Sequence, residues 1–331
     1  MKSFPFFSFL SLGGLGQENI RTYDLLVIGG GSAGLTAAKF SSTFGKSVAI
    51  IEKSRMGGDC TWTGCVPSKS LLASAKCAHA VSKSATFGVH LKGDVDIKMN
   101  VIKERIQKNI QHIYEEDDSP EALKKLGIDV INGSATFLAK KKLLVDGETL
   151  QAKDGILICT GATPIRPSIP GLQDVEYITY EEVFDLEEVP RTMTFVGGGP
   201  IACELAMAFS RLGSKVTVIA SKLLPKEEPE ANAAMSRVFE SEGIVVTKSN
   251  LKSVEKVLNQ NGHIAECENG ARISGDLLLI AVGRKPTVEG MGLENIGIQL
   301  NEKNGIQVDK NLQTSVKGVY AAGDCIGDRQ L

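Results

Sequence analysis

The sequence predicts an α/β protein in which one parallel-sheet unit occurs twice, the second copy inserted in the first. Three observations carry that prediction. An apolar strand pattern that breaks at a glycine-rich turn and resumes as a helix appears at residues 23–44 and again at 192–212. Each copy continues through a helix-stopping glycine into a second short apolar strand. The stretch after each copy contains short strands with tight turns, read as a β-meander in each unit.

In the first copy residues 23–28 form the strand, and Gly29, Gly31 and Gly34 occupy the turn. The helix reaches about Phe44, Gly45 stops it, and a strand over 48–51 ends at Glu52. In the second copy a strand over 192–196 precedes Gly197, Gly199 and Ala202. Its helix runs to about Leu212, Gly213 stops it, and a strand over 216–219 ends at Ala220. Glycines at these spacings permit the tight turn and let backbone amides approach a pyrophosphate, while the helix N-terminus adds partial positive charge. One such motif is a weak signal. Two with equal internal spacing and matching strands read as Rossmann-like dinucleotide-binding units. Glu52 stands where a carboxylate accepts hydrogen bonds from a free ribose 2′-hydroxyl. The second copy has Ala220 there, followed by Ser221 and Lys222, with Lys226 nearby. No carboxylate repels a 2′-phosphate and Lys222 is placed to bind one, so NADPH is expected in preference to NADH.

Between the copies, helices are expected over 68–84 and 96–116, then a short helix with Ser119 as N-cap and Pro120 at its first position. Residues 128–158 read as strands with a turn at Asp146-Gly147, and 243–276 read similarly. A buried strand over 277–282 ends at Gly283-Arg284. Asp117-Asp118 and the acidic stretch 181–188 are expected to be solvated turns and helix faces. Residues 1–21, rich in Phe, Ser and Leu, are read as a targeting leader or a disordered extension. The expected location is intracellular: cytoplasm, or a mitochondrion or plastid if that segment is a leader.

A net charge of -2 gives no electrostatic reason to expect nucleic acid, and no apolar run reaches the roughly 18 residues that suggest a membrane span. The seven cysteines are too sparse for a secreted disulfide scaffold and fit a reducing compartment. Cys77, Cys159, Cys203 and Cys267 are read as small buried hydrophobes. His79, His90, His112 and His263 are read as surface or helix-packing residues.

Cys60 and Cys65 are the two cysteines close in sequence, directly after the first unit. In a regular helix residues five apart have Cα atoms about 8–9 Å apart, whereas a disulfide needs roughly 4.4–6.8 Å. The pair can bridge only where the helix is irregular, and Gly64 and Pro67 are candidate causes of that irregularity. At a helix start the dipole would also favour a thiolate. From the residues alone, a redox pair and two inert packing cysteines both stand. Zinc is disfavoured, because no second CxxC or nearby His pair completes a ligand set.

The segment 57–69, Gly-Gly-Asp-Cys-Thr-Trp-Thr-Gly-Cys-Val-Pro-Ser-Lys, resembles the active-site signature of the class I flavoprotein disulfide reductases. These include glutathione reductase, dihydrolipoamide dehydrogenase and mercuric reductase. The resemblance continues through Thr160–Pro164, Gly197–Glu204, Gly283–Pro286 and Gly318–Asp324, covering about 22–331, and is closest to the mercuric-reductase-like branch. It implies FAD in the first unit, with Gly29, Gly31, Gly34 and Glu52 at the ADP half and Gly161 and Asp324 in the later FAD motifs. It implies a Cys60–Cys65 disulfide, with Cys65 against the flavin as the charge-transfer thiolate and Cys60 meeting the substrate. Lys69 becomes the cation near flavin N5, paired with Glu204; burial of a lysine would demand such a partner.

The implied domains are an FAD-binding domain over 22–188 and 286–331 and an NAD(P)H-binding domain over 189–285. The implied reaction passes electrons from NADPH through FAD to the cysteines and on to a disulfide or related electrophile, a small-molecule or disulfide substrate. Family members continue into an interface domain that makes a homodimer and supplies a His–Glu pair. No histidine here lies in that motif, so the chain is expected to be C-terminally truncated. Two other readings are a flavin reductase that bypasses the cysteines and an inactive nucleotide-binding fragment.

Overall fold

The computed structural model describes residues 20–93, 95–257 and 262–328. The expected leader therefore lies almost wholly outside the described residues. In the first unit, β1 (Arg21–Ile28) leads into α1 (Ser32–Thr43) and β2 (Val48–Glu52). The redox segment forms α2 (Gly58–Trp62) and α3 (Cys65–Lys83), followed by α4 (Met99–Ile113) and α5 (Pro120–Lys125). Ser119 caps α5 as expected, accepting a hydrogen bond from the Ala122 amide at 3.1 Å.

Strands β3 (Ile128–Asn132), β4 (Ala135–Ala139), β5 (Lys142–Val145) and β6 (Glu148–Ile158) complete most of a seven-stranded sheet in the order β3-β2-β1-β6-β5-β4. Strand β3 is not part of the meander; it joins the parallel sheet beside β2. The meander is β4-β5-β6, and its turn has Asp146 and Gly147 both at positive φ, 47° and 93°, as a type I′ hairpin requires. The long β6 belongs to both parts, antiparallel to β5 and parallel to β1.

A short β7 (Ala162–Pro164) precedes β8 (Tyr177–Ile178), which joins the second sheet ahead of the boundary expected at 189. That sheet contains β9 (Thr192–Val196), then α6 (Pro200–Arg211), β10 (Lys215–Ile219), α7 (Pro229–Ser241) and β11 (Val245–Thr247). The antiparallel β12 (Leu251–Lys256), β13 (His263–Cys267) and β14 (Arg272–Gly275) form its meander. Strand β15 (Leu277–Ile280) returns between β8 and β9, giving the order β11-β10-β9-β15-β8. Strand β16 (Arg284–Pro286) pairs with β7, and β17 (Val319–Ala321) pairs with β6 in the first sheet. The chain thus leaves the first sheet, builds the second, and returns.

One core joins the units. Leu71 and Ala75 of α3 and Met99, Ile106 and Ile110 of α4 are packed with Phe195, Cys203 and Phe209 of the second unit, all 2% exposed or less. Helices encoded beside the first fingerprint therefore cover the second, which brings Lys69 to Glu204. Among the described residues no helix is long and apolar enough to cross a membrane.

Two sequence expectations fail here. Cys77 is exposed on α3 rather than buried, although Cys159, Cys203, Cys267 and Cys325 are buried. His263 is neither a surface nor a helix residue. It is 1% exposed inside β13, and neither ring nitrogen has a hydrogen-bond partner among the described residues.

Candidate active site

Both glycine turns have the geometry of a dinucleotide cradle. Gly29 and Gly197 take φ of 105° and 117°, and a Cβ on either would lie 2.3 Å from the Cys159 oxygen or 2.2 Å from the Ala281 oxygen. Gly34 fits because it has no side chain: a Cβ there would meet the Gly29 oxygen at 2.0 Å. In the second copy Ala202 takes that position and is fully buried. By contrast Gly31 and Gly199 look onto open space, with nothing closer than 3.8 Å to a Cβ at Gly31 and nothing within 4 Å at Gly199. Each is the N-cap of its helix and offers no side-chain cap, leaving the first amides of α1 and α6 for an anion. Glu52 ends β2 and accepts from the Gly30 amide at 2.7 Å and the Ser54 amide at 2.8 Å, which holds its carboxylate beside the turn. Ala220 is buried at the end of β10, and Lys222 is exposed two residues on. The middle glycines were not singled out from sequence, yet a Cβ on Gly198 would strike the Lys222 oxygen at 2.2 Å.

The redox segment is locked onto the first turn. The Gly57 amide donates to the Gly30 oxygen at 2.9 Å, and a Cβ on Gly58 would lie 2.6 Å from the Gly31 Cα. Gly57 and Gly58 both have positive φ, 102° and 58°, a conformation that favours glycine. The helix is indeed interrupted between the two cysteines, at Thr63-Gly64, so Cys60 sits in α2 and Cys65 starts α3. Gly64 accounts for the break. Pro67 does not: it lies in the first turn of α3, where no intrahelical N–H donor is needed.

The Cys60 and Cys65 side chains lie close enough to influence each other, and no bridge joins them. The Cys65 thiol is pushed up to about 11, first by desolvation and then by the Cys60 thiol. The backbone amide at the helix start and the Lys69 charge pull it down without prevailing. Lys69 Nζ reaches both Glu204 oxygens, at 2.7 and 2.8 Å. The pair forms as expected but is not buried, its side chains being 61% and 42% exposed. It is a directed surface pair, worth under about 1 kcal/mol in stability.

Cys65 lies on the Lys69 side, whereas Cys60 lines a cavity of about 270 Å³ with Leu35, Lys39, Thr61, Asp117 and Asp118. Asp118, expected to be solvated, is 7% exposed. It accepts from Thr61 Oγ1 at 2.6 Å and lies 3.6 Å from Lys39 Nζ. A π-helical turn over Tyr114–Asp118 causes this, closed by the Ser119 amide donating to the Tyr114 oxygen at 2.7 Å. The extra residue of a π turn re-aims the side chains after it.

Arg284 and Asp324, which lie in separate motifs of the resemblance, face each other at 3.4 Å. Arg284, 11% exposed, also pairs with Asp59 next to Cys60, donates to the Ala162 oxygen at 2.9 Å, and lies over the Tyr180 ring. The Tyr180 hydroxyl donates to Asp59 at 3.3 Å, and burial pushes that phenol up. Gly323, at φ 81°, brings this cluster against Ala33 of α1, a Cβ there falling 3.1 Å from the Ala33 Cβ. Gly161, at φ 68°, leaves open space beside it, and its oxygen accepts from the Thr287 amide at 2.9 Å. Nothing local in sequence marks Asp59 or Tyr180, because their partners come from distant strands. Among the described residues no group of three or more His, Cys, Asp or Glu is arranged to hold a metal ion.

Two dinucleotide cradles and a thiol pair clamped to the first of them are the site's framework. The chain belongs to the pyridine nucleotide-disulphide oxidoreductase family, whose sequence profile matches residues 23–331. It is 35% identical over 317 residues to a dihydrolipoyl dehydrogenase of Bacillus subtilis, covering 93% of this chain and 68% of that one. It is 34% identical over 314 residues to a mercuric reductase of Shigella flexneri, covering 93% of this chain and 56% of that one. The HOCl-induced flavoprotein disulfide reductase RclA of Escherichia coli superposes with a TM-score of 0.80 at 29% identity, over 93% of this chain and 67% of that one. The expected class therefore holds: this is an FAD-dependent, NAD(P)H-linked flavoprotein oxidoreductase of the disulfide-reductase type.

Proposed function

We propose that Cys60 and Cys65 are the redox pair of this chain and that NADPH is its reductant. The observation that carries the reading is the clamp of Gly57 and Gly58 onto Gly30 and Gly31, which fixes two neighbouring thiols beside the first cradle. The cradle fits FAD: Gly31 opens onto unfilled space, the α1 amides are uncapped, and Glu52 and Asp324 are held close to the turn. When bound, FAD supplies a two-electron carrier between the nicotinamide and the cysteines.

The residues of the chain do the rest. Gly197, Gly199, Ala202 and Lys222 hold the nicotinamide nucleotide in the domain proposed over 189–285, Lys222 meeting a 2′-phosphate. Gly283 and Arg284 close that domain, and Arg284 holds Asp59 and with it α2. Lys69, oriented by Glu204, presents its cation beside Cys65 and favours the Cys65 thiolate. The Cys60 thiolate attacks one sulfur of the substrate disulfide, the substrate S–S bond breaks, and the departing thiolate takes up a proton. Cys65 then attacks the Cys60 sulfur, the second substrate thiol leaves, and the Cys60–Cys65 bridge closes. In the assembly the resemblance implies, a second copy of the protein is the partner.

Cys60→Ser and Cys65→Ser are expected to abolish NADPH-dependent disulfide reduction while the purified proteins retain FAD. Disulfide reduction that survives both substitutions would instead assign the chain as a flavin reductase working without its cysteines.

A further inference from the structure

Resting on the reading of Cys60 as the exchange thiol, we infer that the cavity beside it selects its substrate by charge. It takes compact cationic disulfides, then neutral ones, and discriminates against anionic ones. The cavity of about 270 Å³ is below the roughly 300–1,000 Å³ of sites that enclose drug-sized ligands, so it admits a small group on the sulfur.

The charges lining it are one cation, Lys39, against two carboxylates, Asp117 and Asp118. Lys39 is committed to Asp118, which spends its other oxygen on Thr61. That leaves Asp117, exposed at the mouth, to set the sign of the field met by an incoming group, with Glu115 and Glu116 exposed on the same π-helical turn. With Lys39 and Asp118 offsetting each other, the net negative charge at the mouth concentrates cations and repels anions.

The chemistry tested is the first exchange alone. In a reduced Cys65→Ser chain, the Cys60 thiolate displaces one thiolate from the added disulfide, and the mixed disulfide persists because no second thiol resolves it. Three probes of similar size are used: cystamine (cationic), 2-hydroxyethyl disulfide (neutral) and dithiodiglycolate (anionic). Mass spectrometry of the thiol peptides follows Cys60 and, as an internal reference for each probe's own reactivity, the exposed Cys77 of α3.

The expected result is a cystamine-to-dithiodiglycolate rate ratio at Cys60 about tenfold above that at Cys77 at low salt, shrinking at high salt. Asp117→Asn should lower the ratio and Asp117→Lys should bring it to or below the Cys77 value. Both substitutions are at an exposed position, so the fold is expected to survive them. Equal ratios at the two cysteines, or a Cys60 ratio indifferent to Asp117→Lys, would overturn charge selection while leaving Cys60 as the exchange thiol. If Cys60 reacts with none of the probes while Cys77 does, the exchange-thiol reading fails and the selectivity falls with it.

Discussion

Replacing His263 by leucine should remove most of an acid sensitivity that is built into the second unit. The imidazole is 1% exposed in β13, lacks hydrogen-bond partners among the described residues, and abuts Gly275, where a Cβ would lie 2.7 Å from Cε1. Burial lowers its pKa from 6.5 to about 4, with Asp276 opposing. In the unfolded chain the ring titrates near 6.5. Between these values the unfolded state binds a proton that the folded state refuses, so stability falls as pH drops below 6.5 and levels off near 4. A shift of that size corresponds to about 3 kcal/mol at 1.36 kcal/mol per pH unit. Above pH 7 the leucine variant should match the parent or exceed it by about 1 kcal/mol, since two buried unpaired nitrogens are gone. Urea unfolding of both proteins at several pH values from 7.5 to 4 measures the difference, in which the contributions of the shared carboxylates cancel. Parallel stability profiles for the two proteins would refute the reasoning.

Two further outcomes follow from the site. Gly34→Ala forces a methyl against the Gly29 oxygen and should cost about 1–3 kcal/mol as an overpacked turn, with purified protein losing its flavin absorbance. Ala202→Gly in the second unit should cost only about 1 kcal/mol, the helix propensity difference. Lys69→Met removes the charge that lowers the Cys65 thiol, so the pH at which Cys65 alkylates should rise above about 11, while the melting temperature stays nearly unchanged because the pair is exposed.

Much of the architecture was legible in the amino acids because it depends on short-range rules. Alternating strand and helix patterns, glycines where the backbone must turn or approach, and Ser119-Pro120 at a helix start all act within a few residues. The need for a break between Cys60 and Cys65 was equally readable, because helix geometry forbids a bridge at that spacing. The cause was assigned half correctly: Gly64 permits the break, while Pro67 merely occupies a place in α3 where no donor is required. The Lys69–Glu204 pair was found through the resemblance, yet burial, offered as its reason, is not what the structure shows.

The residues misread share one property, that tertiary neighbours set their environment. Asp118 looked like a solvated turn residue until a π turn swung it toward Thr61 and Lys39. Cys77 and His263 changed places with respect to solvent, because exposure depends on which face of an element the rest of the chain covers. Arg284 joins Asp59, Asp324 and Tyr180 only after two sheets have brought four distant segments together. The sequence by itself determined two nucleotide units, since strand, turn and helix signals are written locally, and it was the resemblance that marked Cys60 and Cys65 as a candidate dithiol. Only the folded chain decided which charges surround each sulfur, because electrostatic fields act through space and are fixed by distance rather than by position along the chain.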